Sequence, residues 1–176
     1  MSLRSDLASV LLADTAAVRS KLDAISQTYG FALSDETASQ SPEPYFDALD
    51  FTLSSRDKEL IARVQQLDNA PLGITLTGPA YQDTPILYSN KTFRSWVQYE
   101  LAELCGNNPR LLQGPKTSDE PRADFREALS IWEPVTVEIH NYRNDGTVFT
   151  NRVSLTPIPD ESGTIANWVA IQAPID

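Results

Sequence analysis

The stretch that decides the fold is Glu133–Asn151, EPVTVEIHNYRNDGTVFTN. Its first half alternates. Val135, Val137, Ile139 and Asn141 share one side of an extended chain, and Thr136, Glu138, His140 and Tyr142 share the other. Arg143–Gly146, RNDG, supplies a tight turn, after which Asn151, Val153 and Leu155 again fall on one side. A second turn, PDESG at Pro159–Gly163, leads into TIANWVAIQAPI, where Trp168, Ala170 and Gln172 share a side. The segment reads as consecutive antiparallel strands.

Working outward, GITLTGP and TPILYS read as two more strands around a loop holding Pro79 and Pro85, with Thr75 and Thr77 on one side of the first. NKTFRSWVQY and ELAELC read as short helices, and Glu120–Ser130, EPRADFREALS, as a longer one. Two strands, a helical middle and three strands predict an α+β domain with one antiparallel sheet and its helices on one face.

The N-terminal part has a different texture. Leu7, Leu11, Val18, Leu22 and Ile25 form one apolar stripe, which predicts helix over the first thirty residues with Gly30 as its C-cap. The stripe either covers a core or pairs with a second chain. Ser34–Pro44, SDETASQSPEP, reads as a linker, and YFDALDF after it as a docking turn. Ser54 and Asp57 resemble a capping box for a helix over Ser55–Leu67 that buries Leu60, Ile61, Val64 and Leu67. Asp68–Pro71, DNAP, stops it. The division is therefore a helical cap or dimerisation region over 1–69, with its linker at 34–44, and an α+β domain over 70–176.

Composition removes several function classes. The net charge is −10 over 176 residues, which argues against a nucleic-acid partner and against anionic membranes. One cysteine, Cys105, and one histidine, His140, leave no set of metal ligands, so no metal is expected. No apolar run approaches a membrane span and no signal peptide is evident, which predicts a cytoplasmic protein. No acid–base pair or nucleotide-cosubstrate motif points to an enzyme.

The inner face of the sheet carries amides, Asn141, Asn151 and Gln172, on an otherwise apolar wall. Buried amides need partners. They bond either to backbone and one another or to the edge of a planar heterocycle, and the strands alone leave both open. The opposite face carries Ile74, Leu76, Val169 and Ile171, an apolar stripe that needs a cover from the N-terminal helices or a second subunit.

Beside this wall stands Gly106–Gly114, GNNPRLLQG. It resembles the signature loop of the LOV domains, the flavin-binding branch of the PAS fold, whose pattern is Gly-x-Asn-Cys-Arg-Phe-Leu-Gln. Glu133–Asn151 resembles the family's next two strands, and the ending at Gln172 its last strand. The resemblance runs from about Ala70 to the C-terminus and implies a five-stranded PAS/LOV fold. It implies a non-covalent FMN, with FAD or riboflavin as alternatives. Asn141, Asn151, Asn108 and Gln113 would bond the pyrimidine side of the ring, and Gln172 would sit near the nitrogen protonated on reduction. Arg110 and Arg126 would hold the phosphate. Thr77, Leu112, Leu129, Val153, Leu155 and Trp168 would line the pocket.

One departure bears on function. Pro109 stands where the family has the cysteine that bonds the flavin under blue light. Proline suits a first helical position with Asn108 as N-cap, so the loop keeps its shape and loses the reaction. Cys105 reads as a small buried thiol. Thr75, Thr84, Ala170 and Arg122 also differ from the family's usual residues, and Arg122 either adds charge beside the phosphate arginine or points to solvent, the second being the placement favoured. The resemblance thus implies a short LOV-type blue-light or redox sensor that signals by flavin photoreduction to a semiquinone, with aromatics such as Trp168 as electron source. The signal would pass to the N-terminal helices and a homodimer interface that includes the sheet face, and then to an unknown downstream protein. The alternative is a flavin-free PAS module serving dimerisation.

Overall fold

The computed structural model describes residues 2–35 and 39–175. Helices α1 (Leu3–Leu12), α2 (Thr15–Tyr29), α3 (Glu43–Ala48) and α4 (Ser55–Gln66) precede strands β1 (Gly73–Thr77) and β2 (Ile86–Ser89). Helices α5 (Lys91–Val97), α6 (Leu101–Leu104) and α7 (Asp119–Ile131) follow, and β3 (Val135–Tyr142), β4 (Val148–Pro159) and β5 (Ile165–Ile175) complete the chain. The strands form one antiparallel sheet in the order β2-β1-β5-β4-β3. The first and last strands in sequence therefore lie side by side at its centre. This is the five-stranded PAS/LOV arrangement expected from the sequence.

The register explains the alternation. Ile139 pairs with Asn151, and Val153 pairs with Gln172, so the predicted inner sets share one surface. On β3 the buried residues are Val137, Ile139 and Asn141, and those between are exposed. The hairpin turns place Gly146 and Gly163 at φ of 88° and 86°, a left-handed conformation that a side chain would strain.

The N-terminal region departs from the single predicted helix. The chain breaks at Ala13–Asp14 into α1 and α2. Arg63 of α4 holds the break. Its guanidinium is nearly fully buried and donates to the carbonyls of Val10 at 2.9 Å, Leu11 at 3.3 Å and Ala13 at 2.8 Å, and to Glu59 at 2.7 Å. It satisfies carbonyls that the end of α1 leaves without helical partners. Gly30 caps α2 as expected, and Ser54 with Asp57 forms the capping box of α4.

The predicted linker is shorter than its range. Residues 36–38 lie outside those described, and α3 begins within the range, at Glu43. Phe46 of α3 is buried, so YFDALDF is a docked helix and turn. The outer face of the sheet is closed by the chain itself. Leu7, Val10, Leu11, Leu22, Leu60 and Val64 form one core with Ile74, Leu76, Val169 and Ile171. Each such side chain contributes roughly 1.5–3 kcal/mol by leaving water. Of the two roles open to the apolar stripe, covering a core is the one it fills in this chain.

Candidate functional site

A cavity of about 370 Å³ opens between the inner sheet face, α5, the loop over 108–113 and α7. That volume lies in the range of small-molecule sites. Thr77, Trp168 and Gln172 reach it from β1 and β5, Asn141 from β3, and Val153 and Leu155 from β4. Asn108, Arg110, Leu112 and Gln113 reach it from the loop, and Arg126 and Leu129 from α7. Asn151 alone of the predicted site residues is not on the wall. It lies behind, 1% exposed, and bridges two amides that are.

The amides form a row. Asn151 Nδ2 donates to Asn141 Oδ1 at 2.9 Å and to Gln172 Oε1 at 3.0 Å. Gln172 Nε2 donates to Thr75 Oγ1 at 2.9 Å. The amides do bond one another, yet the row is not saturated. Asn151 Oδ1 and Thr77 Oγ1 are buried without a partner. A buried polar atom left alone costs about 1–3 kcal/mol. Of the two, only Thr77 lines the cavity, so its hydroxyl is the one placed to meet a polar ligand atom.

The loop is built as the sequence suggested. Asn108 caps a 3-10 turn over Pro109–Leu112, its side chain accepting from the Arg110 N–H at 2.8 Å, with Pro109 first in the turn. Asn108 Nδ2 donates to the Asp83 carbonyl at 2.8 Å and to Thr84 Oγ1 at 2.9 Å. Both ends of this amide are thus used inside the loop, whereas the Gln113 side-chain amide has no partner among the described residues. Gly114 is required because an added Cβ would sit 2.5 Å from the Tyr142 ring.

The mouth is cationic in an acidic protein. Arg110, Arg122 and Arg126 all line it. Arg110 makes a two-pronged pair with Asp83, at 3.0 and 2.8 Å, which holds that exposed carboxyl below the usual range. Arg122 pairs with Asp119, and its Nε is buried without a partner. Arg126 has no ion pair among the described residues. Arg122 thus lines the cavity while its side chain stays 40% exposed, so it meets both of the placements open to it. Guanidinium forks of this kind match phosphate.

The wall also carries Ile86, Phe93 and Phe125, and Ile139 from the inner side of β3. Ile139 shares the inner side of β3 with Asn141 and was visible by alternation; the two phenylalanines depend on how α5 and α7 roll onto the sheet. Cys105 is absent from the wall. Its thiol packs in the outer core, 3.7 Å from the Leu87 carbonyl, and burial pushes it up to about 12. Among the described residues no group of three or more His, Cys, Asp or Glu could hold a metal, and no helix is long and apolar enough to cross a membrane.

The PAS domain family model matches residues 71–173. The bacterioopsin transcriptional activator of Halobacterium salinarum is 34% identical over 155 residues, covering 85% of this chain and 23% of that protein. A match of that length extends well into the N-terminal helices. A blue-light-activated histidine kinase of Brucella anthropi is 33% identical over 102 residues, covering 58% of this chain and 21% of that protein. The chain thus spans between a fifth and a quarter of these curated relatives. Among solved structures, the LOV domain of the Erythrobacter litoralis EL346 blue-light activated histidine kinase superposes with a TM-score of 0.58 at 30% identity, covering 61% of this chain and 98% of that one. The light-state dimer of the fungal photoreceptor Vivid superposes at 0.57 with 26% identity, covering 60% and 78%. Fold, signature loop and relatives agree: the chain belongs to the PAS domain family, and its C-terminal region is of the LOV type.

Proposed function

We propose that the chain is a flavin-binding blue-light or redox sensor that works without the cysteinyl adduct of its family. The observation that carries this reading is the chemistry of the cavity lining. The buried amides Asn141 and Gln172 line it from the sheet, and three arginines that are more exposed line it from the loop and α7. That lining fits a heterocycle with a phosphorylated tail, which favours FMN, with FAD or riboflavin as alternatives.

The residues divide the work. Asn141 and Gln172 meet the ring edge while Asn151 sets their orientation from behind. Arg126 is free to take the phosphate, joined by Arg110 and Arg122 as each exchanges a carboxylate for it. Leu112, Leu129, Val153 and Leu155 exclude water from the ring. A bound flavin supplies blue absorption and, once excited, a strong one-electron oxidant. Trp168 is 1% exposed and is the one tryptophan or tyrosine among the described residues of the wall, which makes it the candidate electron source. Pro109 occupies the loop position of the reactive cysteine, and the sole thiol is in the other core.

In this reading the chain is a sensor rather than an enzyme, acts in the cytoplasm and hands its signal to the N-terminal helices. A homodimer formed through those helices uses their exposed sides, since the sheet face beneath them is covered. The partner that receives the signal is a further protein, or another region of a longer chain like those of the relatives.

A second reading is a flavin-free interaction module. The engagement of Arg110 by Asp83 and of Asn108 within its loop favours it. The absorbance spectrum of dark-purified protein, with FMN added and before and after blue light, decides between them. A structured blue band whose light-driven change is a radical spectrum supports the sensor. No band after reconstitution supports the empty module, and an adduct-type bleach refutes the role given to Cys105.

A further inference from the structure

Among the described residues, the charged side chains on the cavity wall are Arg110, Arg122 and Arg126, all of one sign. Two of them already hold a carboxylate, and the two carboxylates differ in origin. Asp119 stands three residues before Arg122 in the first turn of α7, its side chain 94% exposed, and the pairing is local. Asp83 comes from the segment between β1 and β2, 27 residues from Arg110. It meets the guanidinium with both oxygens, accepting from Nη1 on Oδ1 at 3.0 Å and from Nη2 on Oδ2 at 2.8 Å. That is the two-pronged geometry by which arginine takes a phosphate.

Asp83 is built into this place. Its backbone is left-handed at φ of 65°, and Thr84 follows at φ of 42°, a conformation rare for a β-branched residue. The turn is fixed by the Asp83 N–H donating to the Ala80 carbonyl and the Thr84 N–H to the Pro79 carbonyl, each at 3.0 Å. Asn108 holds it from the loop. Its Nδ2 donates to the Asp83 carbonyl at 2.8 Å, to Thr84 Oγ1 at 2.9 Å and to Asp83 Oδ1 at 3.2 Å. Backbone and amide together aim the carboxylate at Arg110.

We propose that Asp83 is a specificity-determining residue of the cavity. Its carboxylate occupies Arg110 as an internal anion, and only a ligand whose own anionic group displaces it gains that arginine. The inference rests on the flavin reading given above and goes further, because it makes the choice between phosphorylated and unphosphorylated flavin depend on an acidic residue outside the wall.

Both side chains of the pair are more than half in water, so the pair itself contributes little to folding. Its effect is on the difference between ligands. A neutral ligand leaves the pair closed, and its affinity is indifferent to Asp83. A phosphate that takes Arg110 breaks the pair and then stands beside a carboxylate of its own sign. Both consequences act against the phosphorylated ligand alone, so Asp83 narrows the preference for FMN over riboflavin.

The test is a fluorescence titration of FMN and of riboflavin at low salt, where exposed charges are least screened. It compares wild type, Asp83→Asn, Arg110→Ala and the double variant. Asparagine tolerates the left-handed backbone at 83, so the turn survives the change, and riboflavin binding is the fold control for each variant. Asp83→Asn should tighten FMN about three- to fivefold, the upper range for one exposed ion pair, and leave riboflavin unchanged. In the Arg110→Ala background Asp83→Asn should lose most of its effect on FMN. An FMN-to-riboflavin ratio that ignores Asp83→Asn overturns the proposal. So does a tightening that persists in full without Arg110, since Asp83 would then act as a distant charge and not as a competitor for that arginine. If wild type binds neither flavin, the sensor reading falls and this inference with it; if both bind and the ratio alone fails to move, only this inference falls.

Discussion

Replacing Arg63 by methionine tests whether the N-terminal helices are an integral layer of the fold. Methionine keeps an apolar stem of similar reach and removes the guanidinium. The side chain is about as buried as the core around it, and it serves the carbonyls of Val10, Leu11 and Ala13. Two of those bonds, at 2.9 and 2.8 Å, are well formed. Each carbonyl left buried without a donor costs about 1–3 kcal/mol, and the loss is partly offset because a charge no longer leaves water. Glu59 is about a third exposed and is rehydrated at little cost. The net expectation is a destabilisation of about 3 kcal/mol. For a chain of this size that lowers Tm by about 6–12 °C. Urea unfolding followed by circular dichroism measures it, with an unchanged slope as the sign that the same surface is exposed. Arg63→Lys should fall between, since an ammonium serves fewer carbonyls at once. A loss under about 1 kcal/mol for Arg63→Met would refute the reasoning, because water would then satisfy the end of α1 as well as Arg63 does.

Arg126→Ala should weaken FMN binding about tenfold, the effect of one lost charged hydrogen bond, and leave riboflavin binding nearly unchanged. Equal losses for both ligands in a titration would remove Arg126 from phosphate recognition. Pro109→Cys should give flavin-loaded protein a light-driven loss of blue absorption that recovers in the dark; a spectrum like that of the parent would show that position 109 does not face the ring. The Cys105 thiol is held protonated up to about 12 by burial, so it should resist thiol reagents at pH 8 until denaturant is added. The sign follows for stability as well: this pKa is raised in the folded state, so its contribution is complete below the ordinary thiol value of 9.0 and fades as pH rises towards about 12. A folding stability that rose across that window would contradict the buried placement.

Period-two alternation was enough to assign the strands and their inner face, because a sheet has only two sides and one-residue slips expose every apolar group at once. That is why Asn141, Gln172, Val153, Leu155 and Trp168 could be named together before their register was known, and why they do share a cavity. The loop was legible for a different reason: Asn108 and Pro109 state a local capping geometry in adjacent residues. Other features depended on contacts between distant segments. Nothing near Ala13 in sequence announces that Arg63 will end α1 there, and a charged residue inside an amphipathic helix reads as solvent-facing. Arg122 stays open in the sequence because one helical residue on the boundary of a stripe can face either way until the roll of α7 on the sheet is known.

The sequence by itself determined the strand faces, the caps, the turns and the chemistry of the inner wall, all of which follow from neighbours a few residues apart. Only the tertiary structure decided that the N-terminal helices cover the outer face in the same chain and that Cys105 lies in the core opposite the cavity. Only it decided that Asn151 stands behind the wall and that Asp83 meets Arg110. Those are outcomes of packing between segments far apart along the chain, where burial and hydrogen-bond saturation choose among placements that local patterns leave equal.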